Sequence, residues 1–204
     1  MGIYSEYILP RIIDKVMSRE ELNVQRRESL TGLSGEILEV GFGSGLNLPY
    51  YPKEVIKILA LDPSTTARRL AQKRIDSINI AVEFVGLTGE DIPLDDNSID
   101  CVVTSWALCT IPDPLKALLE MKRVLRPNGV YHFTEHGLSD IESITKWQDI
   151  INPIHKKIAG GCHINRPIKD LILNAGFNIR KLENFYMNGS KIMTYTYKGI
   201  AFKS

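Results

Sequence analysis

A glycine-rich stretch at 37–48 constrains the fold of this chain more than any other feature. It reads Ile-Leu-Glu-Val-Gly-Phe-Gly-Ser-Gly-Leu-Asn-Leu: an apolar run, three glycines at alternate positions, then further apolar residues. This order predicts a strand, a tight turn and the start of a helix. Glycines reach the backbone angles that such a turn needs, and the missing Cβ lets a ligand lie against the main chain. The amides that open the following helix favour the negative end of that ligand.

A glycine-rich turn alone can also be a plain connection between a strand and a helix. Two details favour a ligand site: Glu39 precedes the glycines, and a second apolar run at 56–61 ends in Asp62. An acid about 20 residues after the glycines, at the tip of the second strand, is placed to hold a ribose through its hydroxyls. The Gly-x-Gly-x-Gly spacing is tighter than that of dinucleotide folds, which disfavours a nicotinamide-dependent reductase.

With three later motifs, this stretch resembles the class I S-adenosylmethionine-dependent methyltransferases. The later motifs are Thr-Ser-Trp-Ala-Leu-Cys at 104–109, Glu-His-Gly at 135–137 and Gly-Gly-Cys-His-Ile-Asn-Arg at 160–166. They are similar to a small-molecule branch of the family, which includes the methyltransferase-like thiol S-methyltransferases and their bacterial relatives. The resemblance covers nearly the whole chain from about Tyr4 onward. It implies S-adenosylmethionine as the cofactor and transfer of its methyl group to a thiol, amine or oxygen nucleophile of a small acceptor.

The resemblance also implies which residues bind the cofactor. They follow the first four predicted strands, and open α/β sheets bind ligands outside the carboxyl ends of their strands. Asp91 is expected to accept a hydrogen bond from the adenine amino group and Ile92 to contact the ring. Trp106 is either a core aromatic residue or a contact of the methionine half. The predicted cofactor-binding residues are Glu39, Gly41, Gly43, Gly45, Asn47, Asp62, Pro63, Glu90, Asp91, Ile92, Ser105 and Trp106.

The acceptor side is predicted at the polar residues that flank the insertion after the fifth strand. His136 or His163 would take the acceptor's proton as the methyl group arrives, and Arg166 would pair with an anionic acceptor group. A thiolate acceptor needs no base, and the three residues are equally open to structural roles, with Arg166 holding a loop. Cys162 beside two histidines and Glu135 also invites a zinc interpretation. The ligand spacing is not that of a compact zinc site, so we predict no metal.

The order of elements predicts a doubly wound α/β domain, and the resemblance gives it a seven-stranded, Rossmann-like sheet with an antiparallel last strand. The strands are expected at 37–40, 56–61, 80–85, 99–104, 130–134, 177–185 and 193–202. Helices are expected from 63, from 113, and over 143–158 and 166–175. The single domain divides into an N-terminal helical segment (1–34), a cofactor-binding core (35–135), a cap insertion (136–176) and a C-terminal strand pair (177–204).

The N-terminal segment has apolar residues close to helical spacing, which predicts an amphipathic helix or helix pair over 4–22 with a break at Pro10. The expected packing is of its apolar side against the flank of the domain. The resemblance implies that this segment helps to close the acceptor pocket. The apolar side consists of Ile8, Ile12, Ile13, Val16 and Met17.

Composition disfavours several functions. The 25 basic and 24 acidic residues nearly cancel, and no Asn-Pro-Pro-Tyr motif follows the fourth strand, which argues against a nucleic-acid partner. Three irregularly spaced cysteines offer no disulfide framework, and no leader-like or membrane-length apolar run occurs, so we predict a cytoplasmic protein without an integral membrane segment. Peripheral lipid contact stays open, as do a monomer and a homodimer. The alternative to an enzyme is a non-catalytic S-adenosylmethionine-binding or assembly subunit. Four basic side chains are expected on a solvated helix face: Arg68, Arg69, Lys73 and Arg74.

Overall fold

A computed structural model describes residues 4–203 as a seven-stranded sheet with helices on both faces. The strand order is β3-β2-β1-β4-β5-β7-β6; β1 to β5 pair in parallel, and β7 is antiparallel to both of its neighbours. The predicted sheet and its antiparallel last strand are therefore confirmed. Residues 1–3 and 204, which belong to the predicted terminal segments, lie outside the described residues. The strands are β1 (Gly35–Val40), β2 (Val55–Leu61), β3 (Ala81–Gly86), β4 (Ile99–Ser105), β5 (Leu125–His136), β6 (Phe177–Tyr186) and β7 (Tyr195–Lys203).

Two of the helices begin at a residue whose side chain caps the helix. Ser64 Oγ accepts a hydrogen bond from the Ala67 amide (3.1 Å), and Asp113 Oδ1 accepts one from the Lys116 amide (3.0 Å). Each side chain satisfies an amide that has no partner within the first turn of its helix. The helices are α1 (Leu9–Met17), α2 (Glu20–Ser29), α3 (Thr65–Ile75), α4 (Pro114–Val124), α5 (Glu142–Ile158), α6 (Ile168–Asn174) and α7 (Lys191–Thr194), with a π-helical turn at Tyr4–Ile8 and a 3₁₀ turn at Leu48–Tyr50.

Two apolar clusters, one built with α4 and α6 and the other with α3, form the core. The first contains Leu118, Tyr131 and Phe133, and the second contains Ile37 and Ile58; all five side chains are fully buried. Burying one such aliphatic or aromatic side chain stabilises the fold by about 1.5–3 kcal/mol. The central strands are thus held rigidly, and the loops at their carboxyl ends have a fixed base.

Strand β5 starts earlier than the sequence predicted. It begins at Leu125, whereas the expected start was Val130. The Pro-Asn-Gly segment at 127–129 was expected to separate α4 from the strand. It lies instead inside β5, where the register with β4 shifts between the Ile99 and Cys101 pairs. A bulge accommodates a proline and a residue with positive φ, here Asn128 (φ 64°), without ending the strand.

The expected packing of the N-terminal apolar side is wrong. Pro10 lies in the first turn of α1, where its missing amide hydrogen leaves no helical hydrogen bond unmade. The predicted break at Pro10 is therefore the start of α1 and not an interruption within it. Helix α1 turns a different side, including Leu9, towards the protein. Four of the five predicted apolar residues are left 40–47% exposed: Ile8, Ile12, Ile13 and Val16.

The basic face of α3 is only partly solvated, so the expectation that all four of its basic side chains face solvent is wrong. The Arg68 guanidinium donates to the main-chain oxygens of Asp62 (2.6 and 2.9 Å) and Gly86 (2.6 Å). Arg74 forms an ion pair with Asp14 (2.9 Å). These two arginines therefore connect α3 to the ends of β2 and β3 and to α1. Over residues 4–203, no helix has the length and apolar character needed to cross a bilayer.

Candidate active site

The site lies at the carboxyl ends of β1, β2 and β4. Strand β1 pairs with β2 on one side and with β4 on the other, so the chain order reverses at this point of the sheet. Loops that leave neighbouring strands on opposite faces open a crevice there, which is the usual ligand position in such sheets. The predicted glycine turn after Val40, the acid Asp62 and the segment after Thr104 all meet at this edge.

The glycine turn has the predicted backbone, but the predicted helix after it is wrong: only the 3₁₀ turn at Leu48–Tyr50 lies between the glycines and β2. Gly41, Gly43 and Gly45 have φ angles of 79°, 58° and 74°, which side-chain-bearing residues rarely adopt. A Cβ on Gly41 would lie 2.4 Å from the Ala107 Cβ, so this position also needs the missing side chain for packing. A Cβ on Gly43 would have its nearest neighbour 3.9 Å away, the Gly41 carbonyl oxygen. The turn therefore packs tightly on one side and leaves open space at Gly43.

Asp62 is tied to this turn. Its Oδ2 accepts a hydrogen bond from the Gly43 amide and its Oδ1 accepts one from the Ser64 amide, both at 2.8 Å. Burial raises the pKa of Asp62, and the two amides and Arg68 oppose that shift. Each oxygen keeps a further lone pair, and the carboxylate stands where the sequence predicted the ribose contact. Pro63, the next predicted residue, is exposed.

Glu39 lies beneath the turn in a buried network. Its Oε1 accepts a hydrogen bond from the Asn47 amide nitrogen (2.8 Å) and its Oε2 accepts one from the Tyr51 hydroxyl (2.7 Å). Asn47 also donates to Ser105 Oγ (3.0 Å), which joins the turn to the end of β4. Burial raises the Glu39 pKa to about 8. The Asn47 side-chain oxygen has no hydrogen-bond partner among the described residues. The sequence did not single out Tyr51, although its Pro-Tyr-Tyr-Pro context was visible.

Three predicted cofactor-binding residues after β3 differ in exposure. Asp91 is exposed, and Ile92 is 2% exposed, with its amide donating to Glu120 Oε2 (3.1 Å). Glu90 accepts a hydrogen bond from the Asp113 amide (3.2 Å). Of the two acids, Glu90 is therefore engaged within the protein, while the Asp91 carboxylate is accessible. The adenine roles of Asp91 and Ile92 stay predictions.

Trp106, directly after β4, has an unusual backbone. Its φ is 53°, in the left-handed region that a bulky residue seldom adopts, and its amide donates to the Thr134 carbonyl (2.7 Å). The Arg26 guanidinium lies over the indole ring, 4.9 Å from the centroid. The indole Nε1 is buried and has no acceptor among the described residues. Strain of this kind persists where the surrounding structure imposes it, and it concentrates at functional sites. No motif or spacing indicated Arg26, which lies on α2.

A buried carboxylate supports the segment after Trp106. Glu135, fully buried at the end of β5, accepts hydrogen bonds from the Ala107 and Leu108 amides, both at 3.1 Å. Burial raises the pKa of Glu135 to about 8. Arg166 is buried as well, and its guanidinium donates to the Leu108 carbonyl. This contact favours the loop-holding role of Arg166 over pairing with an acceptor.

His136, Cys162 and Cys109 come together beside this segment. The Cys162 thiol donates to the Cys109 sulfur (3.3 Å), and His136 Nε2 lies 3.0 Å from the Cys162 sulfur. The hydrogen bond between the two sulfurs lowers the Cys109 pKa well below its ordinary value and raises the Cys162 pKa. Burial lowers the His136 pKa, but Cys109, Glu135 and the His163 main chain together outweigh it, so the His136 pKa is raised. The irregular spacing of the cysteines did not indicate that Cys109 and Cys162 meet; both are free cysteines.

His163 lies next to this cluster but outside it. Its amide donates to the Cys109 carbonyl (2.8 Å), and its Nδ1 lies 3.3 Å from the Asn152 side-chain nitrogen. Burial lowers the His163 pKa, and Arg166 adds to the effect. The predicted acceptor-side residues therefore occupy one region, each with a different environment. Their catalytic roles stay predictions.

Comparison with known proteins also identifies methyltransferases. A methyltransferase-domain family model matches residues 38–133. The chain is 34% identical to the thiol S-methyltransferase TMT1B of Homo sapiens over 182 residues, which is 86% of this chain and 74% of that protein. It is 29% identical to the thiol S-methyltransferase TMT1A of Homo sapiens, over 83% of this chain and 74% of that protein.

Solved structures give the same fold at low sequence identity. An S-adenosylmethionine-dependent methyltransferase of Thermotoga maritima aligns with a TM-score of 0.69 at 17% identity, covering 98% of this chain and all of the other. One of Aquifex aeolicus aligns with a TM-score of 0.66 at 20% identity, covering 96% of this chain and 98% of the other. These two likenesses concern the fold alone.

The sheet order, the glycine turn and Asp62 define a class I methyltransferase fold with a cofactor crevice. The chain is also similar in sequence, and not only in fold, to a human thiol S-methyltransferase. The chain belongs to the S-adenosylmethionine-dependent methyltransferase family; it is a methyltransferase, and S-adenosylmethionine is its cofactor. The open space at Gly43 and the unpartnered Trp106 and Asn47 groups suit a bound cofactor.

Proposed function

We propose that this enzyme transfers the methyl group of S-adenosylmethionine to the sulfur of a small thiol. The extent of the similarity to thiol S-methyltransferase TMT1B carries this proposal. The aligned 182 residues reach well beyond the matched domain at 38–133, and so include much of the chain outside the cofactor-binding core. In this fold the acceptor side is built largely from those outer parts. An amine or oxygen acceptor would not by itself account for similarity there.

The proposed reaction asks the protein mainly for alignment. When bound, S-adenosylmethionine supplies a methyl group on a positively charged sulfur. The acceptor thiol loses its proton, and its sulfur bonds to the methyl carbon while that carbon's bond to the cofactor sulfur breaks and leaves its electron pair there. Holding the acceptor in line with this bond, with water excluded, can provide most of the acceleration.

The described residues divide this work. Gly43 and Asp62 present a main-chain opening and a carboxylate for the nucleoside part of the cofactor. Ser105 and Trp106 continue the site towards the acceptor side, where Cys109, His136 and Cys162 meet. The predicted proton acceptors, His136 and His163, lie on that side. A thiol that is already ionised needs neither of them.

Transfer of a radiolabelled methyl group to a panel of acceptors tests the proposal. The panel contains alkyl and aryl thiols, amines, phenols, lipids and RNA, and we expect label in the thiols. Label found only in the other classes would refute the thiol assignment while leaving a methyltransferase. Activity of His136→Ala, His163→Ala and Arg166→Ala on the thiol then tests the three acceptor-side predictions. Wild-type rates in all three would place the chemistry elsewhere.

The cofactor side has its own variant. Asp62→Ala removes the carboxylate that faces the proposed ribose position, so we expect S-adenosylmethionine binding to weaken by about 1.5–3 kcal/mol with the fold retained. Asp95→Ala, in an exposed turn, is the matched control and should bind normally. Calorimetric titration of both variants with S-adenosylmethionine, S-adenosylhomocysteine and NAD measures the effect. Equal affinity in the two variants would remove Asp62 from the cofactor site.

A further inference from the structure

Three residues with soft metal-ligating atoms meet on the acceptor side. Cys109 lies after β4, His136 ends β5, and Cys162 lies between α5 and α6. Their sulfur and nitrogen atoms all lie within 4.8 Å of one another. Although the ligand spacing along the chain predicted no metal, we propose that Cys109, His136 and Cys162 bind one zinc ion and leave its fourth coordination position open.

The distances require only small movements. Zinc bonds of about 2.3 Å to sulfur and 2.0–2.1 Å to nitrogen, in a tetrahedron, separate two sulfurs by about 3.8 Å and a sulfur from a nitrogen by about 3.6 Å. The Cys109 and Cys162 sulfurs are 3.3 Å apart, and His136 Nε2 is 3.0 Å from the Cys162 sulfur. These two separations therefore have to lengthen by only about half an ångström, and the third pair, Cys109 Sγ and His136 Nε2, lies within 4.8 Å. Side-chain rotation at three residues achieves this without moving the strands.

The main chain holds the ligands in place from outside the cluster. The His163 amide donates to the Cys109 carbonyl (2.8 Å), which clamps the loop after β4 to the loop of the cap. His155 Nδ1 lies 3.0 Å from the Cys162 carbonyl oxygen, and the main chain of His163 hydrogen-bonds to the His136 ring. Metal-binding histidines in proteins characteristically have such a second partner, which orients the ring. The cluster thus has an outer shell as well as ligands.

Charge and ligand type favour zinc. Two thiolates and a neutral imidazole balance the two positive charges of the ion, so the buried centre carries no net charge. Thiolate ligands disfavour magnesium and calcium, which take oxygen. Two cysteines, one histidine and an open position form a known catalytic zinc arrangement. A Cys109–Cys162 disulfide would also use the two sulfurs, but it would leave the position of His136 unexplained.

If the acceptor is a thiol, as proposed above, the open position has an occupant. The thiol binds the ion through its sulfur, releases its proton to solvent and stays a thiolate at neutral pH. Cys109 Sγ lies 3.5 Å from the Trp106 carbonyl oxygen, so the ion would lie close to the carboxyl end of β4, where the methionine half of the cofactor is expected. This consequence rests on the proposed function, whereas binding of the ion does not.

Metal analysis of the full-length protein tests the site. Protein produced with zinc and purified under reducing conditions should contain about one zinc per chain, and Co²⁺ replacement should give a thiolate-to-cobalt charge-transfer band. Cys109→Ser, Cys162→Ser and His136→Ala should each bind zinc at least about tenfold more weakly. Cys101→Ser is the matched control, because Cys101 is also a buried free cysteine but lies at the start of β4 and should keep the metal. Circular dichroism establishes which variants fold.

The possible outcomes distinguish binding of zinc from the proposed thiol methyl transfer. Wild-type protein with reduced thiols that takes up neither zinc nor Co²⁺ overturns the proposal whatever the variants do. A mass lower by two hydrogens, with no metal, assigns the pair as a disulfide and overturns it too. Bound cobalt whose spectrum does not change on adding a small thiol overturns the open-position assignment alone. Bound zinc with methyl transfer only to amines refutes the thiol function and leaves the metal site standing.

Discussion

Trp106 concentrates several costs in one residue. It combines a positive φ with a buried indole N–H that has no acceptor among the described residues, and the Arg26 guanidinium lies above its ring. Burial lowers the pKa of Arg26 to about 10. An unsatisfied buried donor costs about 1–3 kcal/mol. This cost lies at the edge of the predicted cofactor crevice, and we propose that the indole N–H donates to a bound molecule.

Trp106→Phe tests that explanation. Phenylalanine keeps the ring under Arg26 and removes the unpartnered donor, so the free energy of unfolding should not fall. If the N–H donates to the cofactor or acceptor, binding of that molecule should weaken about tenfold, which is ~1.4 kcal/mol. Urea unfolding and calorimetry measure the two effects. Trp147→Phe, on an exposed residue of α5, controls for the loss of an indole. Lowered stability with unchanged binding would make Trp106 a core residue only.

Single residues were predictable from the sequence when their role depends on neighbours along the chain. The glycine turn and its link to Asp62 follow from spacing, since a strand, a turn and the next strand tip are local features. The contact of Cys109 with Cys162 joins residues 53 positions apart, and no periodicity encodes it. Only the folded sheet brings the ends of β4 and β5 to the cap.

At the scale of elements, α5 reverses the usual pattern of an amphipathic helix. Its buried residues are polar: Gln148 donates to the carbonyls of Gly137 (3.0 Å) and Ile164 (2.9 Å), and Asn152 accepts from the Ile164 amide (3.0 Å). These side chains satisfy main-chain groups of the loops around the acceptor side, which have no sheet partners. The helix was predicted over 143–158, but four of its apolar residues are 56–66% exposed: Trp147, Ile150, Ile154 and Ile158.

Helix α1 is attached to the glycine turn by one acid. Asp14 Oδ1 accepts a hydrogen bond from Ser44 Oγ (2.6 Å) and pairs with Arg74 (2.9 Å), which also donates to the Ser44 carbonyl (2.8 Å). This link connects the N-terminal segment directly to the predicted cofactor site. The hypothesis that the segment closes the acceptor pocket therefore gains a specific contact to test.

Asp14→Ala should loosen α1 from the turn. The pair is partly exposed, so the expected loss of stability is only about 1 kcal/mol or less. If α1 acts as a lid, kcat should fall several-fold while cofactor affinity changes less. Steady-state kinetics and calorimetry distinguish these effects, with Glu20→Ala in an exposed ion pair as control. A deletion of residues 1–17 that keeps α2 should show the stronger form of the same defect. Unchanged turnover in a folded deletion would rule out a lid.

At the scale of the whole molecule, the sequence predicted the number of strands and their approximate bounds, but the order of the strands came from the resemblance. Alternating apolar runs indicate strands without saying which ones pair. The reversal between β1 and β4, which creates the crevice, is a property of connections across the sheet. The exposed faces of α1 and α5 were unpredictable for the same reason, because burial depends on what the rest of the fold places beside a helix.

Two buried carboxylates near the crevice couple the stability of the whole molecule to pH. Burial raises the pKa values of Glu39 and Glu135 to about 8 from an ordinary 4.5, so both carboxyl groups hold protons in the folded state that they lose on unfolding. Their contribution to stability is complete below about pH 4.5 and is lost as the pH rises through about 8. Over that interval each group lowers the free energy of unfolding by up to about 1.4 kcal/mol per pH unit.

Glu39→Gln isolates one of these groups. Glutamine can still accept from Asn47 and can donate to the Tyr51 oxygen, so the network keeps its shape without a titrating group. We expect the free energy of unfolding to decline less steeply between pH 5 and 8 than in the wild type, with the largest gain for the variant at about pH 8. Urea unfolding without cofactor at several pH values measures the slope. Glu142→Gln, on an exposed residue of α5, should leave it unchanged. Parallel slopes for wild type and Glu39→Gln would mean that Glu39 is ionised in the folded protein, with Tyr51 and Asn47 stabilising its charge.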